Sequence, residues 1–205
     1  MECNWIVKIA DNIISPLGDT SWANYQAVKA GQSKLCHYEG SREIPEPFVA
    51  SLIDRDQIET ACRALQLPQG YTTFEKLLIL SVSKSLEQTD IDASSDKVLF
   101  ILSTTKGNVD LLDKNNTEFP QSRALLGETA KQIAGYFHNS NQPLVVSNAC
   151  TSGLCAQIEA MRNLQSERYD YVIVMGADCQ SPFIISGFQS LKALSSDLCK
   201  PFDKE

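Results

Sequence analysis

Apolar and polar positions alternate along the chain in blocks, and the blocks define its elements. Trp5–Ile9 is a short, mainly apolar run that predicts a strand, and Ser15-Pro16-Leu17-Gly18 breaks the chain after it. Asp19, Thr20 or Ser21 can cap a helix reaching about Ala30, with Gly31 ending it. Residues 32–54 are polar and Pro-interrupted and read as a long loop that contacts a partner or covers a site. A helix is expected over about Arg55–Leu67, closed by Pro68 and Gly70. A stronger one opens at Thr72 or Thr73, where Phe74, Leu77, Leu78, Ser81, Val82 and Leu86 recur at helical spacing. Ser81 on that face suggests close packing.

Val98–Leu102 is a continuous apolar run bounded by polar residues, the pattern of a strand buried on both faces. A loop, Ser103–Asn108, comes next. Ser122–Phe137 reads as helix despite Gly127 and Gly135, and Leu144-Val145-Val146 as the next strand. The helix after it carries Leu154, Ile158, Met161 and Leu164 on one face. Tyr171–Met175 is another buried strand, and Pro182 opens a short helical stretch to about Leu194. Strands alternating with helices predict an α/β fold on a mainly parallel sheet.

Composition narrows the class. The chain has 205 residues, 43% apolar and 21% charged, enough for one domain, or one and a fraction, with a real core. No apolar run approaches the ~18 residues of a membrane span, and the N-terminus does not read as a signal peptide, so no membrane insertion and a cytoplasmic location are expected. The net charge is −7 without any Lys/Arg cluster, which argues against nucleic acid as a partner. The seven cysteines are odd in number, irregularly spaced and lack a Cys-x-x-Cys pair. With only His37 and His138 beside them, no metal site is expected. Cys3, Cys36, Cys62, Cys155, Cys179 and Cys199 read as small packing residues.

Cys150 stands apart. It lies after a strand and before a helix, and in parallel sheets ligands gather at the carboxyl ends of the strands. A helix N-terminus favours the thiolate, and its unpaired amides, that of Cys150 included, can donate to an oxyanion. Ala149, Ser152 and Gly153 are small enough to admit a substrate, and Gly153 is expected to permit close helix approach. A buried cysteine at a tight turn fits the same spacing. His138 reads as an incidental loop histidine rather than the base for Cys150.

These residues resemble a family. Asn148-Ala149-Cys150-Thr151-Ser152-Gly153 is similar to the nucleophile motif of the β-ketoacyl-acyl-carrier-protein synthases. Ile14-Ser15-Pro16-Leu17-Gly18, Met175-Gly176-Ala177-Asp178, Ser186-Gly187-Phe188, Ala193-Leu194-Ser195 and Pro201-Phe202-Asp203 stand around it in family order. The resemblance implies a thiolase-like fold in its N-terminal half: a mainly parallel, mixed sheet with helices on both faces. It implies a decarboxylative Claisen condensation, in which Cys150 accepts an acyl group and a malonyl thioester then extends it to a 3-ketoacyl thioester. Acyl carrier protein, acyl and malonyl thioesters and a homodimer, or a heterodimer with a related synthase, are the partners it implies. No cofactor is resident, because phosphopantetheine arrives on the carrier protein or on coenzyme A. Phe188 and Ile184 are the substrate-binding residues it implies, lining the acyl tunnel, with Ile184 where a small residue is common and therefore narrowing it.

The sequence also departs from the family pattern. The family's two catalytic histidines and its lysine lie in a second half that residues 1–205 do not include, and neither His37 nor His138 falls at a matching position. The expectation is a truncated N-terminal synthase domain that carries the nucleophile and not the decarboxylation machinery. A non-catalytic subunit like a chain-length factor, and another thiolase-fold enzyme, are the alternatives. Retention of Cys150 counts against the first, and the order of the downstream motifs against the second.

Overall fold

The computed structural model describes residues 5–40, 44, 46–195, 197–200 and 202–204. Cys3, among the expected packing cysteines, and Pro201 of the last motif lie outside the described residues. The first helix, α1 (Ser21–Lys29), is capped by Thr20, whose Oγ1 accepts from the Ala23 N–H at 3.1 Å. Gly31 in the left-handed region (φ +70°) lies just past its end. The Ser15–Gly18 turn before it is stitched by the buried Asn24, whose Nδ2 donates to the carbonyls of Ile13, Gly18 and Thr20. A side chain at Gly18 would strike the Ala23 Cβ, 2.7 Å away.

Trp5–Ile9 is not a strand: no strand among the described residues pairs with it, and Trp5, Ile6, Val7 and Ile9 lie exposed. Apolar content alone predicted a strand, yet a strand needs a neighbour for its backbone groups. Nor is the 32–54 segment a plain loop. Within it β1 (Cys36–Tyr38) and β2 (Phe48–Ala50) form an antiparallel hairpin, with Tyr38 stacked on Phe48. The hairpin strand β2 packs Phe48 and Ala50 against Ile185.

Helices α2 (Arg55–Ala64) and α3 (Thr73–Leu86) come next, the first capped by Asp54 and ending three residues short of the expected Leu67. Thr72 caps α3 through a capping box with Glu75. Ser81 meets the N-terminal segment through hydrogen bonds, accepting from Asn12 Nδ2 at 3.2 Å. Strand β3 (Val98–Ser103) is buried at every position. A turn at Gln121–Ala124 precedes α4 (Leu126–Tyr136), so the expected single helix is a turn and a shorter helix. Strand β4 (Leu144–Val146), α5 (Ser152–Gln165), β5 (Tyr171–Gly176) and α6 (Pro182–Ser190) complete the order.

β3 is the centre of a parallel sheet in the order β4-β3-β5. Its alternation distributes the core. Val98, Phe100 and Leu102 face α3 and α4, meeting Phe74, Leu78, Ile79, Ala130 and Ile133. Leu99 and Ile101 face the opposite side and meet Ala156 and Ala160 of α5. Helices thus cover both faces of the sheet, as expected. Two details differ. The inner face of α5 is Ser152, Ala156 and Ala160, whereas Leu154, Ile158 and Met161 point outward and are exposed. β5 is less buried than expected, with Tyr171 and Val174 exposed. Among the described residues, no helix is long and apolar enough to cross a membrane.

Candidate active site

The parallel strands deliver their carboxyl ends to one edge, and Thr104 ties that edge together. Its N–H donates to Val146 O at 3.3 Å and its Oγ1 to Ala177 O at 3.4 Å, so the ends of β4 and β5 are both fastened to the end of β3. The chain leaves β4 through Ser147 and Asn148, makes one tight turn at Ala149–Thr151 and enters α5 at Ser152. Cys150 sits on that turn and is exposed. The alternative of a cysteine buried in a packed turn does not describe it.

The turn is held by its own residues. Ala149 adopts φ +45°, in the left-handed region, where an L-residue with a Cβ is disfavoured by ~1–2 kcal/mol. The Thr151 N–H donates to Asn148 O at 3.0 Å, and Thr151 Oγ1 donates to the same oxygen at 2.9 Å. Ser152 is buried, and its Oγ accepts from the Asn148 N–H and donates to Ala149 O, both at 2.8 Å. The Cys150 N–H is absent from the turn's hydrogen bonds among the described residues, which leaves it aimed at no protein acceptor. Asn148 Nδ2 approaches Cys155 Sγ at 3.2 Å, so Cys155, expected only to pack, also joins the turn.

The two residues expected to line the acyl tunnel lie apart from this turn in the chain. Ile184 and Phe188 stand one turn apart on α6, on one side of that helix. Ile184 is half-buried and Phe188 is exposed, while Ile185 packs into the hairpin. The structure brings these two together on the helix after β5, whereas Cys150 comes after β4. His138 is far from the nucleophile in topology: it closes α4 at φ +56° and precedes β4, at the amino end of the strand whose carboxyl end carries Cys150. His37 is exposed on β1. Cys36 and Cys199 are exposed, contrary to the packing role expected of them, and Cys62 is buried as expected. Burial, with Asp110 and Asp178 adding to it, pushes the Cys179 thiol up to about 11. Gly153 is not a close-approach glycine, because a Cβ there would meet only Ser103 Oγ, at 4.0 Å. Gly176 is one: its Cβ would lie 2.8 Å from the Ser103 carbonyl oxygen.

Sequence reasoning missed Thr104, Ser152 and the strain at Ala149. Only the Ser152 hydroxyl, inside a motif of small residues, offered a signal.

Residues 39–205 match the family described as "Beta-ketoacyl synthase, N-terminal domain". The chain belongs to the β-ketoacyl synthase family. The Ser15–Gly18 motif and α1 lie before the matched stretch of this ketoacyl synthase domain. Two solved structures share its thiolase-like fold. One is a ketosynthase from Xenorhabdus doucetiae in complex with its chain length factor, with a TM-score of 0.69 and 21% identity over 94% of this chain and 52% of that one. The other is a β-ketoacyl synthase from Burkholderia phymatum STM815, with a TM-score of 0.67 and 16% identity over 92% of this chain and 50% of that one. The chain thus spans about half the length of these ketosynthases. No curated protein matches it.

Proposed function

We propose that this ketoacyl synthase domain supplies the acyl-accepting cysteine of a decarboxylative condensing acyltransferase. The observation that carries the reading is the exposed Cys150 on a strained strand-to-helix turn in a chain of this family. The Cys150 thiolate attacks the carbonyl carbon of an acyl thioester. The negative charge gathers on the carbonyl oxygen, toward which the uncommitted Cys150 N–H can donate. Collapse expels the phosphopantetheine thiolate, which takes up a proton, and leaves the acyl group on sulfur. A malonyl thioester then loses carbon dioxide, and its carbanion attacks the acyl-cysteine. This releases the Cys150 thiolate and a 3-ketoacyl thioester two carbons longer. The acyl chain runs against Ile184 and Phe188, and the pantetheine arm belongs to the substrate. Neither histidine belongs to the turn that carries Cys150, His37 lying on β1 and His138 before β4, so this domain by itself is expected to form the acyl-enzyme without condensing it.

Acyl carrier protein is the proposed donor. The ketosynthase from Xenorhabdus doucetiae, solved with its chain length factor, supports pairing with a related subunit. That neighbour equally supports the second reading, a chain-length-factor-like role for this chain, which the cysteine disfavours.

The test is incubation with an acyl-pantetheine thioester and then peptide mass spectrometry. One acyl increment is expected on the Cys150 peptide and none in Cys150→Ala, which should melt as wild type because the side chain is exposed. No acylation, or equal acylation of Cys36 and Cys199, would overturn the reading.

A further inference from the structure

We infer that Ser152 is the positioning residue for Cys150, its buried hydroxyl bracing the turn that presents the thiol. This inference rests on the reading of Cys150 as the nucleophile. Ser152 is 6% exposed, and its Oγ is fully engaged with backbone. The hydroxyl spans the two residues before the cysteine. It accepts from the N–H of Asn148 and donates to the carbonyl of Ala149, while the Ser152 N–H reaches that same carbonyl.

The bond to Ala149 matters because Ala149 stands at φ +45° with no glycine to make that conformation easy. Strain of this kind persists only where the surroundings over-determine it, and it gathers at functional sites. Thr151, the other hydroxyl of the turn, is exposed; it donates to Asn148 O and accepts from Cys155 Sγ, and neither bond reaches Ala149. Among the described residues, the side-chain hydrogen bond to the Ala149 carbonyl comes from Ser152. With the brace removed, the Asn148 N–H loses its partner and Ala149 is free to relax toward negative φ. That rotation swings the Cys150 side chain and its N–H together, so both the attacking sulfur and the oxyanion donor lose their aim.

The experiment is alkylation by iodoacetamide, with the rate at each cysteine read by peptide mass spectrometry. Wild type, Ser152→Ala and Ser152→Thr are compared. In wild type, Cys150 should react faster than Cys36 and Cys199, the other exposed thiols among the described residues. In Ser152→Ala its rate should fall about tenfold against theirs, while buried Cys62 stays protected as the sign of an intact fold. Ser152→Thr keeps the hydroxyl and should restore most of the rate, which a purely space-filling role would not explain. Should Ser152→Ala expose Cys62, the threonine variant decides: folded with a wild-type Cys150 rate it supports the brace, and folded with a slowed rate it overturns it. A folded Ser152→Ala protein with an unchanged Cys150 rate also overturns the brace and leaves the nucleophile standing. A wild-type Cys150 no faster than Cys36 and Cys199 overturns the nucleophile itself.

Discussion

Ser103 has a glycine on each side, and the two glycines predict opposite outcomes for one added methyl group. Gly176, at the end of β5, faces the Ser103 backbone: a Cβ would lie 2.8 Å from its carbonyl oxygen. Contact distance is about 3.5 Å, so the shortfall is about 0.7 Å. Both groups are fixed by the ladder that pairs Val98–Ser103 with Tyr171–Gly176, and relief must part the two strands. Overpacking of this kind costs ~1–3 kcal/mol, offset by ~0.5–1 kcal/mol for removing a glycine from a strand. Gly176→Ala should therefore destabilise by about 1–2 kcal/mol, lowering the melting temperature by about 2–8 °C. Gly153, in the first turn of α5, faces the Ser103 side chain, with Oγ 4.0 Å from the added carbon. Gly153→Ala relieves a helical glycine without a clash and should stabilise by about 0.5–1 kcal/mol. Urea denaturation monitored by far-ultraviolet circular dichroism measures both. A Gly176→Ala protein as stable as wild type, or a Gly153→Ala protein destabilised as much as its counterpart, would refute the reasoning.

Arg123 neutralises the fully buried Glu75, which also accepts from Asn108 Nδ2 and from the Thr72 N–H. Arg123→Ala leaves that carboxylate without its cation and should cost about 3–5 kcal/mol in urea denaturation, with Glu75→Gln in the same chain returning part of the loss. Asp178 is held above the usual carboxylate range by burial, which Lys106 only partly offsets. Because its folded value is raised, its charged form is less favoured in the folded chain than in the unfolded one, so Asp178→Asn should raise the melting temperature at pH 7. The gain should shrink as the pH falls through the carboxylate range, and a gain that grows instead would contradict the burial. Cys179, pushed up to about 11, should stay unmodified by iodoacetamide at neutral pH while Cys150 reacts.

Where the sequence was legible, burial and local chemistry agreed. Val98–Leu102 reads as a buried strand because every position is apolar, and both faces are in fact covered by helices. Thr20 and Thr72, each among the helix starts the sequence offered, do cap their helices because capping is a local bond between neighbours. The place of Cys150 was legible for the same reason, as a strand running directly into a helix. Trp5–Ile9 failed because pairing is a property of two strands and the run describes only one. The β1–β2 hairpin was hidden because its strands are three residues each, too short to show a period against polar surroundings. The left-handed Ala149 was illegible because the usual marker of that conformation is glycine or asparagine, and here a hydroxyl three residues on does the holding.

The inner face of α5 ties the fold to the site. Sequence periodicity places Leu154, Ile158 and Met161 on one face of the helix, and large apolar residues ordinarily mark the buried side. The structure buries Ser152, Ala156 and Ala160 instead. Small residues let the helix axis approach the sheet, and a close helix is what a connection as short as Ser147–Thr151 between β4 and α5 requires. A helix standing off on leucine and methionine would draw its first residue away from Val146, and the Ser152 hydroxyl could no longer span to the Asn148 N–H at 2.8 Å. The inner face of α5 is therefore set by the geometry of the cysteine turn, and the large side chains are left to the outer face. Replacing Ala156 with leucine should slow Cys150 alkylation although the two residues lie more than a helical turn apart, because the added volume lifts the whole helix. An Ala156→Leu protein that stays folded and retains the wild-type Cys150 rate would separate the packing of α5 from the presentation of its thiol.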